Sequence, residues 1–200
     1  MLLLSPTERQ ARELFKDKVL RLYNALGRPV ASARSKENAA MLELVNGSRI
    51  IALPGAEETI RGYSGVALLV IDEASRVPDS LYYAVRPMLA VSQGSLIALT
   101  TPFGRRGWFF KEWEGKEDDE EKDDREGKEE NEEWNRIAIK AADCPRIKAK
   151  FLAKEKAAIG ERWFRQEYEI SFEDTIAALF SYEDLQAACN NDLQARVLPE

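Results

Sequence analysis

The chain has 200 residues, enough for one or at most two compact units around a hydrophobic core. Its 44% hydrophobic and 32% charged residues are those of a soluble globular protein, and the net charge of −6 is concentrated in residues 111–133, so a DNA-binding face elsewhere is not excluded. There is no histidine, which removes Ser-His-Asp triads, imidazole acid–base catalysis and most zinc sites.

Two separated cysteines, Cys144 and Cys189, suggest reduced thiols rather than a disulfide framework. No apolar run approaches the roughly eighteen residues of a membrane helix, and the first ten residues do not form a signal peptide. A cytoplasmic protein is expected.

In chain order, "MLLLSP" reads as a short buried strand. Ser5 or Thr7 can cap the helix that follows, with Pro6 in its first turn. Leu14, Phe15, Lys18, Val19, Leu22 and Ala25 recur at helical spacing until Gly27 and Pro29 end the run. "MLELVNGSRIIALP" alternates around Asn46-Gly47, a hairpin signal, and "EETIRGYSG" reads as a loop.

"VALLVID" is a near-continuous apolar run, as in a strand buried on both faces of a parallel sheet. A helix is predicted from Pro78 to Met88, then a second buried strand in "SLIALTTP". "GWFFKEWE" starts a further helix with Trp108, Phe109 and Trp113 facing inward. After the low-complexity acidic run 111–133, a solvated or disordered excursion, "WNRIAIKA" reads as another strand. "PRIKAKFLAKEKAAIGERWFRQEYEI" is helical with a break at Gly160, and Trp163, Phe164 and Tyr168 read as packing residues. Strands alternating with helices imply an α/β fold with a mainly parallel sheet.

In such sheets ligands bind beyond the carboxyl ends of the strands. Asp72 and Glu73 stand at that end of one strand, and Thr100 and Thr101 at that end of another. Phosphoryl transfer calls for these groups: an acid for Mg²⁺, a second acid for the attacking water, and a hydroxyl to sense the γ-phosphate.

Here the chain resembles the large terminase subunit of tailed bacteriophages, an ATP-driven DNA-packaging motor. "LLVIDEASRVPDSLYYAVRPML" is similar to that family's Walker B block and "LIALTTPFGRRGWFFKEW" to its coupling motif. "SPTERQARELF" resembles the strand and helix after the phosphate loop, and the segment from Cys144 resembles the link toward the nuclease domain. The resemblance implies a P-loop-NTPase-like three-layer sandwich over 1–142 and a small helical linker subdomain over 143–200. It also implies Asp72 as the magnesium residue, Glu73 as the catalytic carboxylate, and Thr100 and Thr101 as the link from hydrolysis to movement. ATP and Mg²⁺ follow as cofactors. Double-stranded DNA, a portal protein, a small terminase subunit and a homo-oligomeric ring follow as partners.

Arg61, on a glycine-flanked loop before the Walker B strand, is a candidate for a finger completing a neighbouring subunit's site. Pairing with Glu57 or Glu58 is the alternative, and Arg105 and Arg106 are weaker candidates. Arg105, Arg106, Lys148, Lys150, Lys154 and Lys156 are candidates for phosphate contacts with DNA, or else form a solvated face.

No GxxxxGK[ST] phosphate loop occurs in the sequence. Family order places that loop before Met1 and the nuclease domain after Glu200. The expectation is an ATPase part that is inactive alone. The alternatives are a non-enzymatic prophage remnant, one half of a split motor whose partner carries the loop, and a helicase fragment.

Overall fold

The computed structural model describes residues 1–32, 40–55, 60, 62–115 and 134–174. They belong to two units, Met1–Thr101 with Arg106–Ala138, and Pro102–Arg105 with Ile139–Glu200.

The first unit is built on a five-stranded sheet of order β2-β3-β1-β4-β5. Its strands are β1 (Leu2–Ser5), β2 (Met41–Glu43), β3 (Arg49–Pro54), β4 (Leu68–Asp72) and β5 (Ser95–Leu99). All neighbours are parallel except β2 and β3. That antiparallel pair is the hairpin expected at Asn46-Gly47. Gly47 takes a φ of 82°, and the Asn46 side chain accepts from the Ser48 amide at 3.0 Å.

Alternation along the strands sends side chains to two covered faces. Leu2, Leu4, Leu69 and Ile71 pack with Leu81, Tyr82, Val85, Met88 and Trp108, which come from α3 (Asp79–Val85), α4 (Pro87–Ala90) and α5 (Gly107–Glu114). On the opposite face Leu3, Ala52 and Val70 pack with Leu42 and with Ala11 and Phe15 of the first helical segment. Helices on both faces of a mainly parallel sheet make the expected three-layer α/β sandwich.

That first segment is α1 (Glu8–Leu14), a π-helical stretch Phe15–Leu20, and α2 (Arg21–Ala25). Thr7 is its cap, accepting from the Gln10 amide, and Pro6 lies just outside the helix. Phe15 is buried, whereas Leu22 is exposed, because the π-turn shifts the register that an unbroken 3.6-residue period assumes.

Several sequence expectations need correction. The helix expected over Pro78–Met88 is two, since Pro87 cannot continue the hydrogen-bond ladder of α3. In α5, Trp108 and Phe110 are buried, while Phe109 and Trp113 are half-buried. Segment 134–140 forms no strand and is mostly exposed, with Ile137 at 69% and Ile139 at 66% accessibility. β5 forms, but among the described residues it is an edge strand and not a buried one, with Ile97 and Leu99 exposed. Most of the acidic run, 116–133, lies outside the described residues.

Two ties organise the first unit. Gly94 approaches the backbone so closely that an added Cβ would lie 1.9 Å from the Val66 carbonyl oxygen. The Glu112 carboxylate accepts from the Tyr82 hydroxyl and from Trp134 Nε1, both at 2.6 Å, and Tyr82 stacks on Trp108.

The second unit contains a helical hairpin, α6 (Ala149–Ile159) and α7 (Glu161–Tyr168), broken at Gly160 as expected, with φ 82°. Tyr168 contacts the rings of Phe164 and Phe151, and Lys156 pairs with Glu161 at 2.8 Å. Phe164 and Tyr168 pack as expected. Trp163 does not: it is 44% accessible. Among the described residues no helix is long and apolar enough to cross a membrane.

Candidate active site

Parallel pairing brings the carboxyl ends of β1, β4 and β5 to one rim of the sheet. The strand register sets Asp72 directly opposite Leu99, so the Asp72–Glu73 pair and the Thr100–Thr101 pair leave adjacent strand ends. Ser5 ends β1 one step beyond the Leu4–Ile71 pair, beside Asp72; its buried hydroxyl has no partner among the described residues.

Asp72 is half-buried, and its carboxyl is held above the usual carboxylate range. Burial is the main cause and the Glu73 charge adds to it, while a hydrogen bond from the Glu73 backbone acts the other way. Glu73 lies in the left-handed region, with φ 52° and ψ 42°. That conformation turns the chain sharply from β4 into a 3-10 turn over Ala74–Arg76. Ala74 is fully buried there, which is why a small residue follows the acids. Arg76 Nε lies 3.3 Å from Glu73 Oε2, an exposed pair that holds the carboxylate near the turn.

The two strand ends are joined by a residue that local spacing does not single out. Ser75 Oγ lies 2.8 Å from Thr100 Oγ1 and donates to the Thr101 carbonyl at 2.8 Å. The Ser75 amide donates to Thr100 Oγ1 at 3.3 Å, and Thr100 Oγ1 lies 2.8 Å from the Thr101 carbonyl oxygen. Thr100 thus enters the site through its hydroxyl and Thr101 through its carbonyl.

Of the residues named from sequence, Asp72, Glu73, Thr100 and Thr101 come together. Arg61, with Glu57 and Glu58, lies outside the described residues. Arg105 donates to the Phe172 carbonyl in the second unit, while Lys148, Lys150 and Lys154 project from α6 or its start, exposed.

Among the described residues no cluster of three or more acids or thiols forms a metal cage. Two adjacent carboxylates, one of them disfavoured as an anion by burial and by its neighbour, still fit a hard divalent cation that takes one protein oxygen and completes its shell with phosphate and water.

A mainly parallel five-stranded sheet with helices on both faces, acids at the tip of one strand and tied hydroxyls on the next, defines a three-layer α/β core. The family model "Terminase large subunit, T4likevirus-type, N-terminal" matches residues 1–187, and the chain belongs to that family, part of the phage DNA-packaging motor. The chain is similar in fold to the large terminase ATPase domain of Thermus phage P74-26, with a TM-score of 0.64 at 21% identity, covering 86% of this chain and 76% of that one. An arginine-to-alanine variant of the same domain matches with a TM-score of 0.63 at 20% identity and the same coverages. The large terminase of a thermophilic bacteriophage, solved in complex with ADP, matches with a TM-score of 0.61 at 14% identity; 86% of this chain covers 40% of that one. No curated protein matches the chain.

Proposed function

We propose that these residues form the metal- and water-handling part of a terminase ATPase site, coupling ATP hydrolysis to movement of double-stranded DNA into a procapsid. The observation that carries the reading is the single rim where Asp72 and Glu73 meet Thr100 and Thr101 through Ser75.

In this reading Asp72 would hold Mg²⁺, which would supply positive charge to the phosphates. Glu73 orients the attacking water and accepts its proton. Thr100 and Thr101 sit where the presence or loss of a γ-phosphate shifts the end of β5. Arg61 is proposed as the group that completes a neighbouring subunit's site within a ring. Exposed Lys148, Lys150 and Lys154 are proposed to meet DNA phosphates without reading sequence. A portal protein and a small terminase subunit are the proposed partners of the assembled motor, and 1–142 and 143–200 its ATPase and linker parts.

The phosphate loop comes, in this reading, from outside these 200 residues. What supports this is β5. Among the described residues it bonds to β4 on one side only, and its apolar Ile97 and Leu99 face solvent. A sheet whose apolar edge stands open beside the catalytic rim fits one more strand, and a strand there would end where the phosphates sit. The same open edge favours, as a second reading, a split motor whose partner chain brings the loop.

Without the loop's amides and lysine, several charge-assisted hydrogen bonds of about 1.5–3 kcal/mol each are missing. The test is Mg²⁺-dependent ATP hydrolysis by the 200-residue chain, with and without double-stranded DNA, beside Glu73→Gln. No turnover is expected from either protein. Turnover abolished by the substitution would mean that other residues of this chain hold the phosphates, and the external loop would be abandoned.

A further inference from the structure

We infer that Ser75 is a positioning residue that locks the acidic turn after β4 to the end of β5, so that the two move as one element. The inference rests on the proposed site for its catalytic meaning, but its geometry stands apart from any activity.

Three oxygens form a closed triangle: Ser75 Oγ, Thr100 Oγ1 and the Thr101 carbonyl, each 2.8 Å from the other two. The carbonyl only accepts, and each hydroxyl has one proton to give. Three hydrogen-bonded arrangements therefore satisfy the triangle. In one, Thr100 donates to Ser75 and Ser75 donates to the carbonyl. In another, Ser75 donates to Thr100 and Thr100 donates to the carbonyl. In the third, both hydroxyls donate to the carbonyl, which has two lone pairs. Rotating the hydroxyls interconverts them, and Ser75 is engaged in all three. The Ser75 amide adds a contact to Thr100 Oγ1 at 3.3 Å, so backbone as well as side chain is tied across 25 positions of sequence.

The other end of this lock is the strained one. Glu73, two residues before Ser75, sits at φ 52°, a conformation that persists only where its surroundings hold it. Buried Ala74 anchors the turn from below, and Ser75 anchors it sideways to β5. Displacement of Thr100 or Thr101 is thereby passed to the backbone that aims the Glu73 carboxylate. A serine suits this place because it bonds at once to a hydroxyl and to a carbonyl at short range, which alanine cannot do.

The test is residue-resolved amide hydrogen exchange in wild type, Ser75→Ala, Ser75→Thr, Thr100→Val and the Ser75→Ala/Thr100→Val double variant. Ser75→Ala is expected to speed exchange at Glu73–Arg76 and at Thr100–Thr101 together, by about tenfold, as the loss of one net hydrogen bond would. Strands β1 and β3 should be unchanged, and Ser75→Thr should restore protection. Thr100→Val should speed exchange at Glu73–Arg76, and the double variant should add little to either single one. Unchanged exchange at Glu73–Arg76 in Thr100→Val would overturn the lock, and so would an equal rise in β1 and β3 with Ser75→Ala. If Ser75→Ala does not fold, the Thr100→Val result decides alone. Since no hydrolysis is read, failure here leaves the proposed function standing, and failure of the ATPase assay leaves the lock standing.

Discussion

Replacing Glu73 by glycine should make the protein more stable while removing its proposed catalytic carboxylate. Glu73 holds a left-handed backbone at φ 52° and ψ 42°, which costs an L-residue about 1–2 kcal/mol. Glycine pays none of that, but loses roughly 0.5–1 kcal/mol more chain entropy on folding. The Arg76 pair at 3.3 Å, more than a third exposed on both sides, contributes a few tenths of a kcal/mol at most, by the ~0–1 kcal/mol typical of surface pairs. Glu73→Gln is the control, since it too removes the charge beside Asp72 and keeps the left-handed cost. Glu73→Gly should therefore exceed Glu73→Gln by about 0.5–1 kcal/mol, or roughly 1–4 °C in Tm for a chain of this size. Urea unfolding followed by tryptophan fluorescence, with the midpoints compared at equal slope, measures the difference. A glycine variant less stable than the glutamine variant would refute the idea that strain is held at this residue for function.

Three further outcomes follow from the same structure. Gly94→Ala puts a Cβ 1.9 Å from the Val66 carbonyl oxygen, so the β5 end must shift; a loss of about 3 kcal/mol or more in chemical denaturation is expected. Glu112→Ala leaves the Tyr82 hydroxyl and Trp134 Nε1 without their acceptor and should cost about 1–3 kcal/mol in the same assay, with a change in tryptophan emission. Asp72, whose carboxyl is raised above 3.8 mainly by burial, binds its proton more tightly folded than unfolded. Stability from this group is present at low pH and is lost as pH rises from 3.8 through the raised value. Asp72→Asn should thus gain more over wild type at pH 7 than at pH 3.5, and denaturation midpoints at the two pH values check the sign.

The central strand β4 was legible because a strand covered on both faces must be apolar at every position, and "LLVID" is. The hairpin was legible because Asn-Gly fits the left-handed turn that joins β2 to β3. β5 shows the limit of that logic. "SLIAL" carries the apolar content of a covered strand, yet composition records what a strand is suited to bury, not whether its neighbour is present. The 134–140 segment failed for the same reason: alternation makes a strand only when another edge supplies hydrogen bonds. In α5, helical spacing marked the aromatic cluster but chose Trp113 over Phe110, because the buried arc is set by Asp79 capping the Trp108 amide from another helix.

That Asp72, Glu73, Thr100 and Thr101 meet at one rim of the sheet was legible from the strand ends. Ser75 was not, since its partners lie 25 and 26 residues away and no local period joins them. The signal available was the small hydroxyl residue itself, standing just after the acids. Arg61 lies outside the described residues, so its role rests on sequence.

The most direct measurement supplies what the sequence lacks: a strand–GxxxxGK[ST]–helix segment fused ahead of Met1, with Mg²⁺-dependent ATP hydrolysis followed beside the unfused chain and beside the fusion carrying Glu73→Gln. Turnover is expected from the fusion only, and is lost with Glu73→Gln while nucleotide binding is kept. A folded fusion that binds Mg²⁺-ATP and hydrolyses it equally well with Glu73→Gln would contradict the assignment of Glu73, and with it the reading of this rim as the catalytic site.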